Sequence, residues 1–323
     1  MKYREIGKSG VKASEISLGC WTMGGPNWNK GYAIGWAAPD EKEVVEAVHY
    51  AVDRGVNHFD NADVYGHGIA ERMLAKALDG VKKDVIVATK VGHFQGTAPH
   101  AYTPLHIRHQ CEQSLENLKR DHIDIYYFHH GSFGDNDQYV DGAADMMRRL
   151  KKEGKIRLMG LSAYSEDDFE RLVPKIKPDV LQARANLLYD TMVRPGNRVP
   201  KLMEKHGLSM VCFSPLGQGL LLDKFDPKKP PEFVEGDNRR GKEAFTKEGL
   251  EKIHAKLAKV KERFGDAAED LARVALQFLL WHKHVCCPIV GFRNLNQVKI
   301  DIAGADKPLT DADVKWLREV FAQ

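Results

Sequence analysis

The sequence predicts an α/β chain folded as a single (β/α)8 TIM barrel, with a β-hairpin ahead of the barrel and extra helices at its C-terminal end. Three observations carry this. Short apolar runs alternate with helical patterns eight times, with no break in composition along the chain. Regular strand–helix alternation implies a parallel sheet covered by helices, and eight strands close more naturally than they lie open. The length of 323 residues suits one barrel of roughly 250 residues plus insertions. Residues 1–323 are therefore read as one domain.

The elements follow in order. Tyr3-Arg4-Glu5-Ile6 alternates, turns between Gly7 and Gly10 and resumes through Val11, as a hairpin does. Glu15–Gly19 is the first buried strand. A helix over 40–55 is capped by Asp40 with Glu43 completing a capping box, presents Val44, Ala47, Val48, Ala51 and Val52 on one face, and ends at Gly55. The second strand is Val56–Asn61, followed by a helix near 69–78. The third strand is Asp84–Lys90, and Thr103-Pro104 opens a helix at a position where no N–H is needed. Ile123–His129 is the fourth strand, followed by a helix near 143–152. Ile156–Ser162 is the fifth, and Ser165 with Asp168 caps the helix after it. Val180–Ala183, Ser209–Ser214 and Val285–Val290 are the sixth to eighth strands, with a short helix ending at His206 between the sixth and seventh. Helical patterns also fall near 247–264 and 267–282, and a final helix runs from Thr310 to about Phe321. The stretch Gly217–Phe245, rich in Gly, Pro and charge, is too long for a plain connector and is read as a cover over the active site.

Composition narrows the function classes. Hydrophobic residues make up 43% and charged residues 29%, which suits a globular protein with a large core. The 48 basic residues nearly balance the 45 acidic ones, so charge offers no argument for nucleic acid or a membrane surface. The five cysteines, Cys20, Cys111, Cys212, Cys286 and Cys287, lack C-x-x-C spacing; they read as core thiols, not as a disulfide framework or zinc site. The polar N-terminus does not read as a signal peptide, and no apolar run reaches the ~18 residues that a membrane span needs. A cytoplasmic protein is expected, with a small molecule as partner and no protein partner implied.

In a barrel of this kind the chemistry sits at the C-terminal ends of the strands. The second strand ends in Asp60 and its loop adds Tyr65; the third ends in Lys90; the fourth ends in His129. Acid, phenol, amine and imidazole thus arrive from adjacent strands. An ammonium lowers the pKa of a neighbouring phenol, ordinarily about 10. Lys90 is costly to bury alone and Asp60 can pair with it. His129 can hydrogen-bond a carbonyl oxygen or help pass a proton to Tyr65. Together the four would polarise a C=O group and protonate the alkoxide as hydride arrives. Each has a plainer structural reading: Asp60 as a turn cap, Tyr65 as loop packing, His129-His130 as a core pair. No third ligand sits at a convincing spacing, so no metal is expected.

At these residues the sequence resembles the aldo-keto reductase family. The matching segments are SLGCWTMGG (17–25), FDNADVYG (59–66), VATK (87–90), IDIYYFHH (123–130), GLSAYS (160–165), LQARANLL (181–188), FSPLGQGLL (213–221) and PIVGFRNLNQV (288–298), in family order. The resemblance implies Tyr65 as proton donor, with Asp60, Lys90 and His129 completing the set, and Trp21, Tyr65 and His129 against the substrate. It implies NADPH, with NADH as the alternative, bound without a Rossmann glycine motif. Ser162 and Gln182 would hold the carboxamide and Phe213 would stack on the nicotinamide ring. Ser214, Leu216, Gly217 and Gly219 would approach the pyrophosphate through backbone N–H groups. Gly19, Trp21, Thr22, Asp60, Gly291 and Gln297 are expected along the same cofactor, Arg293 at a 2′-phosphate and Asp301 accepting from the adenine amine. The chain departs from the family pattern at Ala163, where Asn is common, and at Ile300-Asp301, where Glu-Asn is common.

Trp21 either lines the substrate pocket or belongs to the barrel-mouth core, and Trp28, Tyr32 and Trp36 of the loop after the first strand either wall the pocket or merely pack; aromatic walls with few polar groups suit aldehydes and ketones broadly. His93, just past Lys90, can reach a polar substrate. Two other readings stand beside carbonyl reduction: a lyase or aldolase with Lys90 as Schiff-base nucleophile, and a barrel that senses a nicotinamide nucleotide without turnover.

Overall fold

A computed structural model of the chain describes residues 1–322. An antiparallel hairpin of β1 (Tyr3–Glu5) and β2 (Lys12–Ser14) precedes the barrel, which starts with β3 (Ser17–Gly19). A two-stranded ribbon, β4 (Trp28–Asn29) with β5 (Tyr32–Ala33), stands in the first loop. Then come α1 (Glu41–Asp53), β6 (His58–Asp60), α2 (Ile69–Ala77), β7 (Ile86–Val91), α3 (Pro104–Leu118) and β8 (Ile123–Phe128). They are followed by α4 (Val140–Lys152), β9 (Ile156–Ser162), α5 (Glu166–Ile176), β10 (Val180–Arg184), α6 (Arg198–His206) and β11 (Met210–Phe213). The chain ends with α7 (Lys247–Phe264), α8 (Ala268–Leu280), β12 (Val285–Gly291), α9 (Leu295–Ala303) and α10 (Asp311–Ala322). Strands β3, β6, β7, β8, β9, β10, β11 and β12 pair in parallel in that order, and β12 returns to β3 to close the barrel.

The sequence signals act where the chain placed them. The Asp40 carboxylate accepts from the N–H groups of Lys42 and Glu43 and starts α1, whose buried residues are the five apolar ones of its predicted face. Ser165 accepts from the Asp168 N–H and donates to its carboxylate at 2.8 Å, starting α5. Two clusters form the core. One packs the outer faces of the strands against the helices. The other, with Ile86, Ala88, Ile125, Tyr127, Val211 and Cys287, fills the barrel, and Ile6 and Ala13 of the hairpin join it. The hairpin therefore plugs the N-terminal end, held by Arg4 donating to Glu15 at 2.8 Å and to the Val285 carbonyl at 3.0 Å. That leaves the C-terminal ends of the strands as the open face. All five cysteines are buried and unbridged.

Two elements were not anticipated. The ribbon β4–β5 is too short for a periodicity to register. Helix α9 carries little amphipathic pattern, though its start is marked by Asn294, which caps the Gln297 N–H at 3.0 Å.

The stretch 217–245 crosses the open face. Gly35 donates to the Gly236 carbonyl at 2.9 Å and accepts from Asn238 N at 2.9 Å, so the strap docks on the loop after β3. Arg239 anchors it: the guanidinium forks onto Asp237 at 2.7 and 3.0 Å and lies between the rings of Trp36 and Phe233, 4.3 and 4.1 Å from their centroids. Trp36 is thus a packing ring beneath the strap, while Tyr32 is 75% exposed and walls nothing.

Candidate active site

Parallel register carries the expected residues to one rim. Gly19 pairs with Asp60, Ala88 with Asp60, Lys90 with Tyr127, Ser162 with Gln182, and Gly291 with Gly19. Asp60, Ser162, Phe213 and Gly291 are each the last residue of their strand, and His129 follows the last residue of β8.

Lys90 and Asp60 form a buried ion pair, 1% and 4% exposed, with Nζ 2.5 Å from Oδ1. Lys90 also donates to the Asn61 carbonyl at 2.6 Å and to the Tyr65 hydroxyl at 3.3 Å. The second carboxylate oxygen of Asp60 accepts from the Gln182 amide at 2.8 Å. Both charges are therefore satisfied on more than one side, which a buried pair requires. Tyr65 stands against Trp21 in a stacked pair with centroids 5.8 Å apart and meets the His129 ring edge-on, also at 5.8 Å.

The loop holding Tyr65 is fixed by backbone contact. Gly24 and Gly66 lie back to back; a Cβ on Gly66, at φ +61°, would fall 2.3 Å from the Gly24 carbonyl oxygen. Asn27 adds a 2.6 Å bond from its amide to the Val64 carbonyl.

The electrostatics differ from expectation at one point. Burial, followed by the charge of Asp60, pushes the Tyr65 phenol well above its ordinary pKa. Desolvation of the phenolate outweighs the Lys90 ammonium, so the resting phenol keeps its proton. His129 moves the other way: burial, then His93 and Lys90, hold it well below the usual histidine range, so it is neutral. Its Nδ1 is buried without a hydrogen-bond partner.

Ser162 and Gln182 lie side by side on β9 and β10, but the Gln182 amide N–H is already committed to Asp60. Phe213 is half-buried and meets Tyr164 edge-on at 6.1 Å. The turn 214–219 runs partly left-handed, with φ of +57° at Ser214 and Gly217, +59° at Gln218 and +94° at Gly219. Within this turn Gly217 N donates to the Ser214 carbonyl at 3.1 Å and Gly219 N to the Leu216 carbonyl at 3.0 Å. Tight turns consume their own N–H groups, which residue type alone does not reveal.

The far end gathers on β12 and α9. Thr22 Oγ1 donates to the Phe292 carbonyl, next to Gly291. The Arg293 N–H donates to the Gln297 side chain at 2.8 Å, so Gln297 fixes the loop carrying Arg293. Asp301 is buried and desolvation raises its pKa to about 8, with Lys224 pulling the other way. Its carboxyl is thus held toward the protonated form near neutral pH, and its carbonyl oxygen can still accept. Lys224 lies in the field of Arg239, Arg293 and Asp301, and burial lowers its pKa. Lys224 and Arg239 stand out in the sequence only as part of a short basic run and a basic pair, because both belong to the strap and reach this cluster only through the fold.

Among the described residues no group of His, Cys, Asp and Glu is placed to hold a metal, and no helix is long and apolar enough to cross a membrane.

Comparison with known proteins agrees with this architecture. The chain is 28% identical over 323 residues to the aldo-keto reductase yakc of Schizosaccharomyces pombe, whose name carries NADP(+), covering 98% of this chain and 90% of that one. It is 26% identical over 334 residues to the NADH-specific methylglyoxal reductase of Escherichia coli K12, covering 99% and 98%. Its fold matches a glycerol dehydrogenase from Gluconobacter oxydans with a TM-score of 0.81 at 27% identity, over 99% of this chain and 95% of that one. The model of the aldo/keto reductase family matches residues 15–322. The chain belongs to the aldo/keto reductase family and is an NAD(P)H-dependent oxidoreductase acting on the C=O/CH–OH couple.

Proposed function

We propose that the protein reduces an aldehyde or ketone to an alcohol with NADPH, Tyr65 donating the proton. The observation that carries this is the buried Asp60–Lys90 pair with its ammonium 3.3 Å from the Tyr65 hydroxyl. Burial keeps the resting phenol protonated, so a proton is present to be donated. As its proton leaves toward the alkoxide, the Lys90 ammonium stabilises the phenolate that remains. Neutral His129 orients the carbonyl oxygen at the phenol, and Trp21 forms the apolar wall beside it. The same pairing weighs against a Schiff-base role: a Lys90 amine tied to a carboxylate and a carbonyl is not a free nucleophile.

The nicotinamide nucleotide supplies the hydride when bound, and the groove has the chemistry to hold it. Among Asp60, Tyr65, Lys90 and His129, the His129 Nδ1 is a buried polar atom without a partner. Phe213 presents a ring face, Ser162 a hydroxyl and Gln182 its amide oxygen. Arg293, with Lys224 near it, supplies the charge that a 2′-phosphate requires, which favours NADPH over NADH. A cytoplasmic location fits a chain of this type.

The test uses purified protein, NADPH and a panel of aldehydes and ketones. Loss of reduced-cofactor absorbance is expected, with several-fold lower kcat/KM for NADH. Borohydride trapping of a carbonyl on Lys90, or tight NADPH binding without turnover on any carbonyl, would instead support the lyase or the sensor.

A further inference from the structure

His93 stands beside the tetrad with nothing to hold. It lies in the loop after β7, half-buried, its ring 4.3 Å from that of His129 and 4.9 Å from that of His130. The three imidazoles differ in what their nitrogens do. His130 is fully committed: Nε2 pairs with the Gly92 carbonyl at 3.0 Å, and Nδ1 accepts from Ser132 N at 3.2 Å. His129 edges onto Tyr65 and serves the reacting oxygen. Neither ring nitrogen of His93 has a hydrogen-bond partner among the described residues, although its backbone is pinned by Asn29, whose amide donates to the His93 carbonyl at 2.9 Å. Burial, His130, Lys90 and Lys30 hold its pKa down to about 3, so at neutral pH the ring offers one donor and one acceptor and no charge.

Position gives these groups a meaning. The rings run in sequence from Trp21 to Tyr65, His129 and His93, so a substrate whose carbonyl oxygen met Tyr65 and His129 would have a substituent on its neighbouring carbon within reach of His93. Trp21 supplies an apolar face at the other end of that row. The mouth is therefore two-sided, and its polar side begins where the substituent on the neighbouring carbon falls. We propose that His93 is a specificity-determining residue that hydrogen-bonds a hydroxyl on the carbon next to the reacting carbonyl, so that the preferred substrates are α-hydroxy carbonyl compounds. This rests on the reductase reading and deepens it. A ring kept only for packing would be served equally well by phenylalanine, as at Phe94 beside it.

The experiment compares lactaldehyde with 2-methylpropanal, in which a methyl replaces the hydroxyl, using NADPH and the full chain. In the wild type, kcat/KM for lactaldehyde exceeds that for 2-methylpropanal by about tenfold or more. In His93→Phe that ratio falls toward one, chiefly through a higher KM for lactaldehyde; in His93→Gln, which retains donor and acceptor, it stays above the phenylalanine value. A wild-type ratio near one overturns the proposal without the variants, and so does an equal loss on both substrates in His93→Phe. Absence of turnover with either aldehyde overturns the reductase reading together with it, which separates the two failures.

Discussion

The two ends of the cleft are built on different principles. At the reacting end, side chains stand at the ends of strands, are nearly water-free and hold one another: Lys90 bonds Asp60, Asn61 and Tyr65, and Asp60 bonds Gln182. At the end proposed for the nucleotide, Arg293, Lys224 and Arg239 come from loops, Arg239 is paired with the buried Asp237, and burial raises the Asp301 pKa more than the Lys224 charge lowers it. A strand-end site is set by barrel register and tolerates no unpaired charge. The other end is carried on loops, where Arg239 is paired inside the strap with Asp237, and among the described residues none of its cations bonds Asp60, Lys90 or Tyr65. Damage at the first end should therefore spread to stability and rate together, whereas damage at the second should stay confined to nucleotide binding.

The largest effect is expected from Lys90→Met. It strands a buried carboxylate and removes the charge behind the phenol, so it should lower stability by about 3–5 kcal/mol in chemical denaturation and kcat by ~10³-fold. A stable, inactive variant would break the proposed link between pairing and folding. Gly66→Ala comes next. The added methyl meets the Gly24 carbonyl and needs a left-handed backbone; displaced Tyr65 should cost kcat roughly ten- to a hundredfold, with KM for NADPH little changed. Arg293→Ala should raise the Kd for NADPH about tenfold and that for NADH less than about twofold, with Tm unchanged. A fall in kcat there would show that the ends are not independent.

The smallest effect is a pH dependence at Asp301. Its carboxyl titrates near 3.8 when exposed and at about 8 in the fold. Between those values the folded chain binds more protons than the unfolded one, so this group makes stability fall as pH rises. Asp301→Asn removes that slope. Without nucleotide, its stability relative to wild type should grow from pH 5 to pH 8 by more than about 1 kcal/mol; a constant difference would place the carboxyl in water.

The same division governs what the chain reveals when read as letters. Asp60, Lys90 and His129 are legible because strand ends are legible: an apolar run that stops on a charge has one place to go in a barrel. Tyr65 follows from the short loop after Asp60. The commitment of Gln182 to Asp60 is not legible, since the two strands face each other across the barrel with three strands between them on either side. The direction in which the Tyr65 pKa moves is not either, because burial and then the Asp60 charge raise it, and both depend on how the fold encloses the ring. At the nucleotide end the strap was visible as a long polar stretch, but its docking through Gly35 and the Trp36–Arg239–Phe233 stack joins segments some two hundred residues apart.

The measurement closest to the central claim is single-turnover oxidation of bound NADPH by a saturating aldehyde, in wild type and Tyr65→Phe, with NADPH affinity measured alongside. The variant is expected to bind NADPH as the wild type does and to lose at least ~10³-fold in the hydride step. A variant that retains more than about a tenth of the rate with unaltered NADPH binding would mean that another group delivers the proton.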